Sequence, residues 1–87
     1  MATAPRPYAL TDHALTALLA VSERDRRSLV AAFDFLAENP AQAAEGTAFD
    51  WDGYPVYVLR YGRFTIGYLI DPHSGNATIT LIRPRAG

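Results

Sequence analysis

The sequence predicts an α+β fold, in which a short N-terminal strand and a two-helix hairpin pack on an antiparallel meander sheet of three to four strands. Apolar residues recur at helical spacing between residues 12 and 38, and they alternate with other residues between residues 53 and 83. Short turn sequences separate the alternating segments, which is typical of a meander. The helix pair is the available cover for the apolar face of this sheet, so the fold has two layers.

Length and composition set limits on the class of protein. The chain of 87 residues predicts one domain over residues 1–87, with residues 1–5 as a flexible tail. Hydrophobic residues make up 49% of the chain and aromatic residues 11%, which excludes a disordered linker. The absence of cysteine excludes disulfides and thiolate metal sites, and cytoplasmic localisation is the default expectation. No apolar stretch approaches the roughly 20 residues that cross a membrane.

The first elements are a strand and a helix. The segment from Arg6 to Leu10 predicts a short strand, and Thr11 with Asp12 supplies side-chain oxygens for a helix N-cap. A stripe of apolar residues then predicts a helix of about two turns. Its members are Ala14, Leu15, Leu18 and Leu19.

A second helix is predicted from Glu23 to Glu38. Ser22 followed three residues later by Asp25 resembles a capping box, and Asn39-Pro40 ends the helix. The predicted buried face consists of Leu29, Val30, Phe33, Leu36 and Ala37. The short connection to the first helix indicates an αα-hairpin.

The second half of the chain predicts the meander. Residues 40–50 are interpreted as an ordered loop, and the strands are Gly53–Tyr61, Phe64–Ile70 and Ala77 to about Arg83. Alternation places Ile79 and Leu81 on one face of the last strand. The predicted core between helices and sheet contains Phe33, Leu36, Tyr57, Leu59, Ile66 and Tyr68.

Histidine, metal and cofactor chemistry find little support in the sequence. His13 and His73 are far apart, and neither has a second ligand at the spacing that a helical metal site needs. No glycine-rich run joins a strand to a helix, so no nucleotide loop is predicted. His73 is interpreted as a solvated turn residue, and we expect neither metal nor cofactor.

The C-terminal arginines are the best candidate for function. Residues 60–87 contain four arginines and one acid, whereas residues 1–59 contain four arginines and eight acids. Arg60 and Arg63 flank one hairpin, while Arg83 and Arg85 close the last strand, so a meander brings them to one edge or face. Such a cluster could bind a phosphate backbone and stabilise charge at a phosphoryl centre. The alternative is that these arginines are solvated and paired with Asp50, Asp52 and Asp71.

A second group of arginines begins the second helix. Arg24, Arg26 and Arg27 lie where the helix dipole disfavours cations. They are either neutralised locally, with an i,i+4 pair from Glu23 to Arg27, or they form a basic edge for a phosphate or an acidic partner.

The order of elements and one central stretch resemble the RelE/ParE toxin superfamily of bacterial toxin–antitoxin modules. The stretch runs from Val58 to Asp71 and reads VLRYGRFTIGYLID. In that family it typically reads arginine, any residue, Gly-Asp-Tyr-Arg, then apolar residues and an acidic turn. The family's helix-ending Asn-Pro also occurs here, and the resemblance extends from Tyr8 to Arg85.

The resemblance implies site residues, and it also reveals departures from the family pattern. The arginine that ends the family motif is replaced by Thr65, and the strand lysines of some members by Val56 and Val58. Arg85 matches the arginine near the family's C-terminus. The candidate catalytic residues are therefore Arg85, Arg83 and Arg60. The candidate RNA- or partner-binding residues are Arg63, Thr65, Tyr61, Arg24 and Arg27.

The resemblance also implies partners and an activity. The partner is a cognate antitoxin, and the main hypothesis is an endoribonuclease (mRNA interferase) that cleaves mRNA on the ribosome. One alternative is a ParE-like toxin that poisons DNA gyrase. The other is a catalytically degenerate member that acts only through antitoxin binding.

Overall fold

The computed structural model describes residues 6–49 and 53–85, which form three helices and five strands. In chain order the elements are β1 (Tyr8–Leu10), α1 (Asp12–Ala20), α2 (Glu23–Glu38), α3 (Pro40–Ala43), β2 (Gly46–Phe49), β3 (Pro55–Tyr61), β4 (Phe64–Ile70) and β5 (Ala77–Pro84). The tail predicted at residues 1–5 lies outside the described residues. None of the described helices is long and apolar enough to cross a membrane.

The strands form one mixed sheet in the order β1-β5-β4-β3-β2. The predicted α+β fold and its antiparallel meander are confirmed, and β1 joins the sheet by parallel pairing with β5. The prediction of a loop over residues 40–50 is wrong, because α3 and β2 lie there. Residues 46–49 pair with β3, whose backbone would otherwise present unpaired groups at the sheet edge. This pairing depends on a distant strand, so the local sequence does not reveal it.

Both long helices begin at the predicted caps. Thr11 Oγ1 accepts a hydrogen bond from the Ala14 backbone nitrogen at 3.2 Å, and Ser22 Oγ accepts one from the Asp25 nitrogen at 3.2 Å. Helix α2 ends at Glu38 as predicted, and Pro40 then opens α3, where its missing N–H carries no cost.

The core lies between the helix pair and one face of the sheet. Five of the six residues predicted for it are buried, and Tyr57 is half-buried against them. The predicted burial of Val30 on α2 is wrong, since its side chain is exposed, and Leu15 and Leu19 of the apolar stripe are exposed on α1. Because both helices pack on a single sheet face, each helix buries only a narrow strip of its surface. On α1 this strip consists of Ala14 and Leu18.

A β-bulge in β5 changes which residues face the core. Gly67 pairs with Leu81 and Tyr68 pairs with Ile79, so Thr80 is an extra residue on β5. The predicted sharing of a face by Ile79 and Leu81 is therefore wrong, and Ile82 is buried instead. Continued alternation would have turned Arg83 toward the core, whereas the bulge turns it to the outer face.

Candidate functional site

Three polar residues form a row across the three central strands, at the end of the sheet that carries the β3–β4 hairpin. Arg60 on β3 pairs with Thr65 on β4, and Thr65 pairs with Arg83 on β5. Directly opposed residues project from the same face of a sheet. The chain neighbours of the row, Leu59, Ile66 and Ile82, are buried in the core, so the row projects from the opposite, outer face. We call Arg60, Thr65 and Arg83 the arginine row.

Arg60 is already engaged by a carboxylate. Glu45, next to the start of β2, accepts hydrogen bonds from the Arg60 backbone nitrogen at 3.1 Å and from Arg60 Nε at 3.0 Å. These hydrogen bonds, together with the charges of Arg60 and Arg85, lower the pKa of Glu45 below its usual value despite some desolvation. The side chains are 57% exposed for Arg60 and 41% exposed for Glu45, so solvent and dissolved ions can reach the pair.

Arg63 does not join the arginine row. Its guanidinium donates a hydrogen bond to the Asp25 carboxylate on α2 and lies over the Phe64 ring, 5.9 Å from the centroid. The hydrogen bond from Arg63 is the main cause of the lowered pKa of Asp25. Asp25 thus draws Arg63 to the helix side of the β3–β4 hairpin.

Arg85 lies at the same end of the sheet as the row. Its backbone nitrogen donates to the Arg63 oxygen at 2.7 Å, and its Nη1 donates to the Gly62 oxygen at 3.1 Å. Gly62 has a positive φ of 58° in the tight hairpin, which glycine adopts without strain. The side chain of Arg83, by contrast, has no hydrogen-bond or ion-pair partner within residues 6–49 and 53–85. Its guanidinium is therefore available to an external anion.

The next rows of the outer face are apolar. Val58 pairs with Gly67, which pairs with Leu81, and the following row contains Val56 and Leu69. Leu81 lies so close to Gly67 that a Cβ added there would be 3.2 Å from the Leu81 Cβ. The positions at which some family members carry lysine thus form a half-buried apolar surface beside the arginine row.

The remaining candidate residues are not brought to the row. Tyr61 is half-buried and packs against the core on the opposite face. Arg27 binds Glu23 at 2.8 Å, as predicted for a locally neutralised pair. Arg24 is exposed and lines an open cleft of about 400 Å³ between the N-terminus of α2 and the β3–β4 hairpin.

Arg26, predicted to belong either to a neutralised pair or to a basic edge, instead caps a helix. Its side chain donates to the backbone oxygens of Leu18 and Leu19 at 3.3 Å and of Val21 at 3.2 Å. These oxygens lie at the C-terminus of α1, where helix carbonyls lack partners within the helix.

The acidic partners of the arginines differ from the predicted ones. Glu45 and Asp25 bind Arg60 and Arg63, whereas Asp71 accepts a hydrogen bond from the His73 backbone nitrogen at 2.8 Å within the β4–β5 turn. Asp50 and Asp52 lie outside the described residues. Sequence reasoning missed Glu45 because residue 45 fell in the supposed loop, and it assigned Asp25 to local contacts at the start of α2.

Neither histidine reaches the arginine row. His13 is exposed on α1, and His73 lies in the turn at the opposite end of β4 from the hairpin. Within residues 6–49 and 53–85, no cluster of three or more metal-ligating side chains occurs. The groups gathered at the row are guanidiniums, one hydroxyl and the Glu45 carboxylate.

Comparisons with known proteins find similarity in structure alone. No protein-family model matches the chain, and a search of curated proteins finds no match. A chain in the crystal structure of the archaeal RelE–RelB complex from Pyrococcus horikoshii OT3 has a TM-score of 0.74 at 15% identity, covering 95% of this chain and 98% of that one. A chain in the toxin–antitoxin complex RelBE2 from Mycobacterium tuberculosis has a TM-score of 0.75 at 20% identity, covering 94% and 100%.

The protein has a RelE-like fold. The fold implied by the stretch from Val58 to Asp71 is confirmed. At 15–20% identity, similarity of backbone says nothing about individual side chains, so the roles of the arginines depend on the contacts described above.

Proposed function

We propose that this protein is the toxin of a type II toxin–antitoxin module, acting in the cytoplasm, and that it cleaves mRNA on the ribosome. The observation that supports this proposal is the arginine row, with the unpartnered Arg83 beside Thr65 on the outer face of a RelE-like sheet. Guanidiniums bind phosphate through paired N–H donors and remain charged at every physiological pH.

The arginines supply positioning and charge stabilisation to the reaction. Arg83 and Arg60 would hold the non-bridging oxygens of the scissile phosphate from two strands, with Arg85 beside them at the end of the sheet. The 2′-oxygen would attack the phosphorus as the bond to the 5′-oxygen breaks, with water accepting the 2′-hydroxyl proton and supplying one to the leaving oxygen. Negative charge develops on the non-bridging oxygens in this step, and preorganised cations stabilise it. Thr65 lies between the two arginines in the row and has a shorter side chain than either.

The proposed partner is an antitoxin, as in the two similar complexes. An acidic antitoxin segment would neutralise Arg83 and cover the apolar rows formed by Val56, Val58 and Leu81. This contact would keep RNA from the arginine row while the two proteins are bound.

The test is induced expression of the wild type and of Arg83→Ala and Arg85→Ala, with pulse labelling of protein and DNA synthesis. Loss of one charge-stabilising contact typically lowers the rate by about 10²–10³, so each substitution should abolish a translation arrest caused by the wild type. Arg6→Gln is the matched control. Arg6 binds Ser74 and Asn76 at the opposite end of the sheet, so its loss should leave the arrest intact.

Other outcomes would identify the alternatives. Arrest of DNA synthesis with protein synthesis intact would favour a ParE-like gyrase poison. No growth effect, together with tight binding of an antitoxin, would favour a degenerate member. Full toxicity of both arginine variants would refute cleavage through the arginine row.

A further inference from the structure

The Glu45–Arg60 pair lies at the place where a phosphate would bind. Oε2 of Glu45 accepts from Arg60 Nε at 3.0 Å, and Oε1 accepts from the Arg60 backbone nitrogen at 3.1 Å. Because Nε is occupied, Arg60 cannot offer a phosphate the fork of Nε and one terminal nitrogen that makes bidentate contacts strong. The carboxylate also places a negative charge next to the incoming phosphate.

We propose that Glu45 competes with phosphate for Arg60 and thereby sets how strongly the arginine row binds a phosphate backbone. This inference builds on the proposed function, because it concerns the affinity of the same row. The pair is exposed, and exposed ion pairs have small net stabilities, so a phosphate can replace the carboxylate. Arg83 would make the first contact, and Arg60 would then exchange from Glu45 to the ligand.

The charge of Arg85 supports this assignment. It contributes to the lowered pKa of Glu45, so the carboxylate is within electrostatic reach of two of the arginines proposed to hold the phosphate. Glu45 therefore remains ionised at neutral pH and reduces the positive potential at this end of the sheet.

The test compares Glu45→Gln with the control Glu23→Gln by fluorescence anisotropy, using labelled single-stranded RNA and, separately, inorganic polyphosphate. Each substitution removes one negative charge from an arginine pair, but Glu23 binds Arg27 on α2, outside the row. Glutamine keeps a side-chain oxygen for the Arg60 backbone nitrogen, which preserves the local contact. Thermal unfolding and circular dichroism check the fold of each variant.

Glu45→Gln should bind both ligands about two- to five-fold more tightly than Glu23→Gln, the range that corresponds to loss of one exposed ion pair. When Arg60 leaves Glu45 in the wild type, the freed carboxylate attracts a cation from solution. This uptake offsets part of the release of cations from the RNA that accompanies binding. The salt dependence of RNA binding should therefore be steeper for Glu45→Gln, by up to about 0.7 in the logarithmic slope.

A double-mutant cycle identifies the arginine concerned. In an Arg60→Gln background, the gain in affinity of Glu45→Gln over Glu23→Gln should be smaller than in the wild-type background, because only the through-space effect of the Glu45 charge remains there. In the wild type, titration with polyphosphate should shift the NMR signal of the Arg60 Nε–H group, a measurement that requires no variant to fold.

Three results would overturn the proposal: equal affinities of the two glutamine variants, weaker binding by Glu45→Gln, or an unshifted Arg60 signal at saturating polyphosphate. Failure of the proposed function gives a different pattern. The induced protein would then cause no translation arrest, while the polyphosphate comparison would still measure competition by Glu45.

Discussion

Replacement of Tyr68 by phenylalanine tests how the sheet is joined to the segment that follows α2. Tyr68 is fully buried on β4, and its hydroxyl donates a hydrogen bond to the Pro40 oxygen at 2.6 Å. Its ring stacks on Tyr57 with centroids 5.8 Å apart, and phenylalanine preserves this contact. The substitution therefore removes one buried hydrogen bond and little packing.

The expected loss of stability is substantial for a chain of this size. Loss of the donor to a buried oxygen costs about 1–3 kcal/mol. A domain of this length loses about 4–8 °C of Tm per kcal/mol, so Tyr68→Phe should melt about 5–20 °C below the wild type. Tyr61→Phe is the matched control, because the half-buried Tyr61 hydroxyl makes no hydrogen bond with residues 6–49 and 53–85.

Alkaline pH provides a second measurement of the same group. Burial, with the nearby Tyr57, raises the pKa of Tyr68 to about 12. A raised pKa means that this contribution to stability is complete below pH 10 and is lost as the pH rises toward 12. At pH 11 the wild type should have lost about 1.4 kcal/mol through Tyr68, and Tyr68→Phe should lack this loss. The stability gap between the two proteins should therefore narrow from pH 7 to pH 11.

Urea denaturation at both pH values, followed by circular dichroism, measures the gap directly. If Tyr68→Phe is as stable as Tyr61→Phe at pH 7, the hydroxyl does not hold Pro40. A gap that stays constant up to pH 11 would show that the hydroxyl of Tyr68 is accessible to water in the folded state.

Two further predictions concern α2 and the hairpin that it contacts. Phe33 is fully buried, and its ring packs edge-on against the Tyr8 ring with the ring centroids 5.5 Å apart. Phe33→Ala should therefore lower the free energy of unfolding, measured by urea denaturation, by about 3–5 kcal/mol. An unchanged midpoint would show that this face of α2 does not pack on the sheet. Arg63→Gln should raise the pKa of Asp25 toward its ordinary value, since the hydrogen bond from Arg63 is the main cause of the lowered value. An unchanged NMR titration of that carboxylate would show that Arg63 does not bind Asp25 in solution.

Local signals were sufficient for most of the elements. The oxygens of Thr11 and Ser22 marked both helix starts, Asn39-Pro40 marked the end of α2, and the turns around Gly62 and Gly75 separated the strands. These features act within a few residues of the chain, so the sequence displays them directly. Strand β2 was missed because residues 46–49 form a strand only against β3.

In the candidate site, too, the residues could be read from the sequence, whereas their arrangement depends on contacts between distant segments. The sequence identified the arginines by number, but it predicted four of them together. The structure aligns Arg60 and Arg83 through Thr65 and draws Arg63 away to Asp25. Arg83 reaches the outer face only because the bulge at Thr80 inserts one residue into β5.

By itself, the sequence determined the fold class, the start of α1, the limits of α2, the turns and most residues of the core. Caps, breakers and apolar spacing act locally, and a two-layer fold follows from the need to bury one face of each element. The tertiary structure decided the partners of the charged groups and the face from which each residue of β5 projects. Both depend on strand register and on contacts such as Glu45–Arg60, which join segments far apart in the chain. In the unfolded chain these charged groups are solvated by water, and they pair only when the fold brings them together.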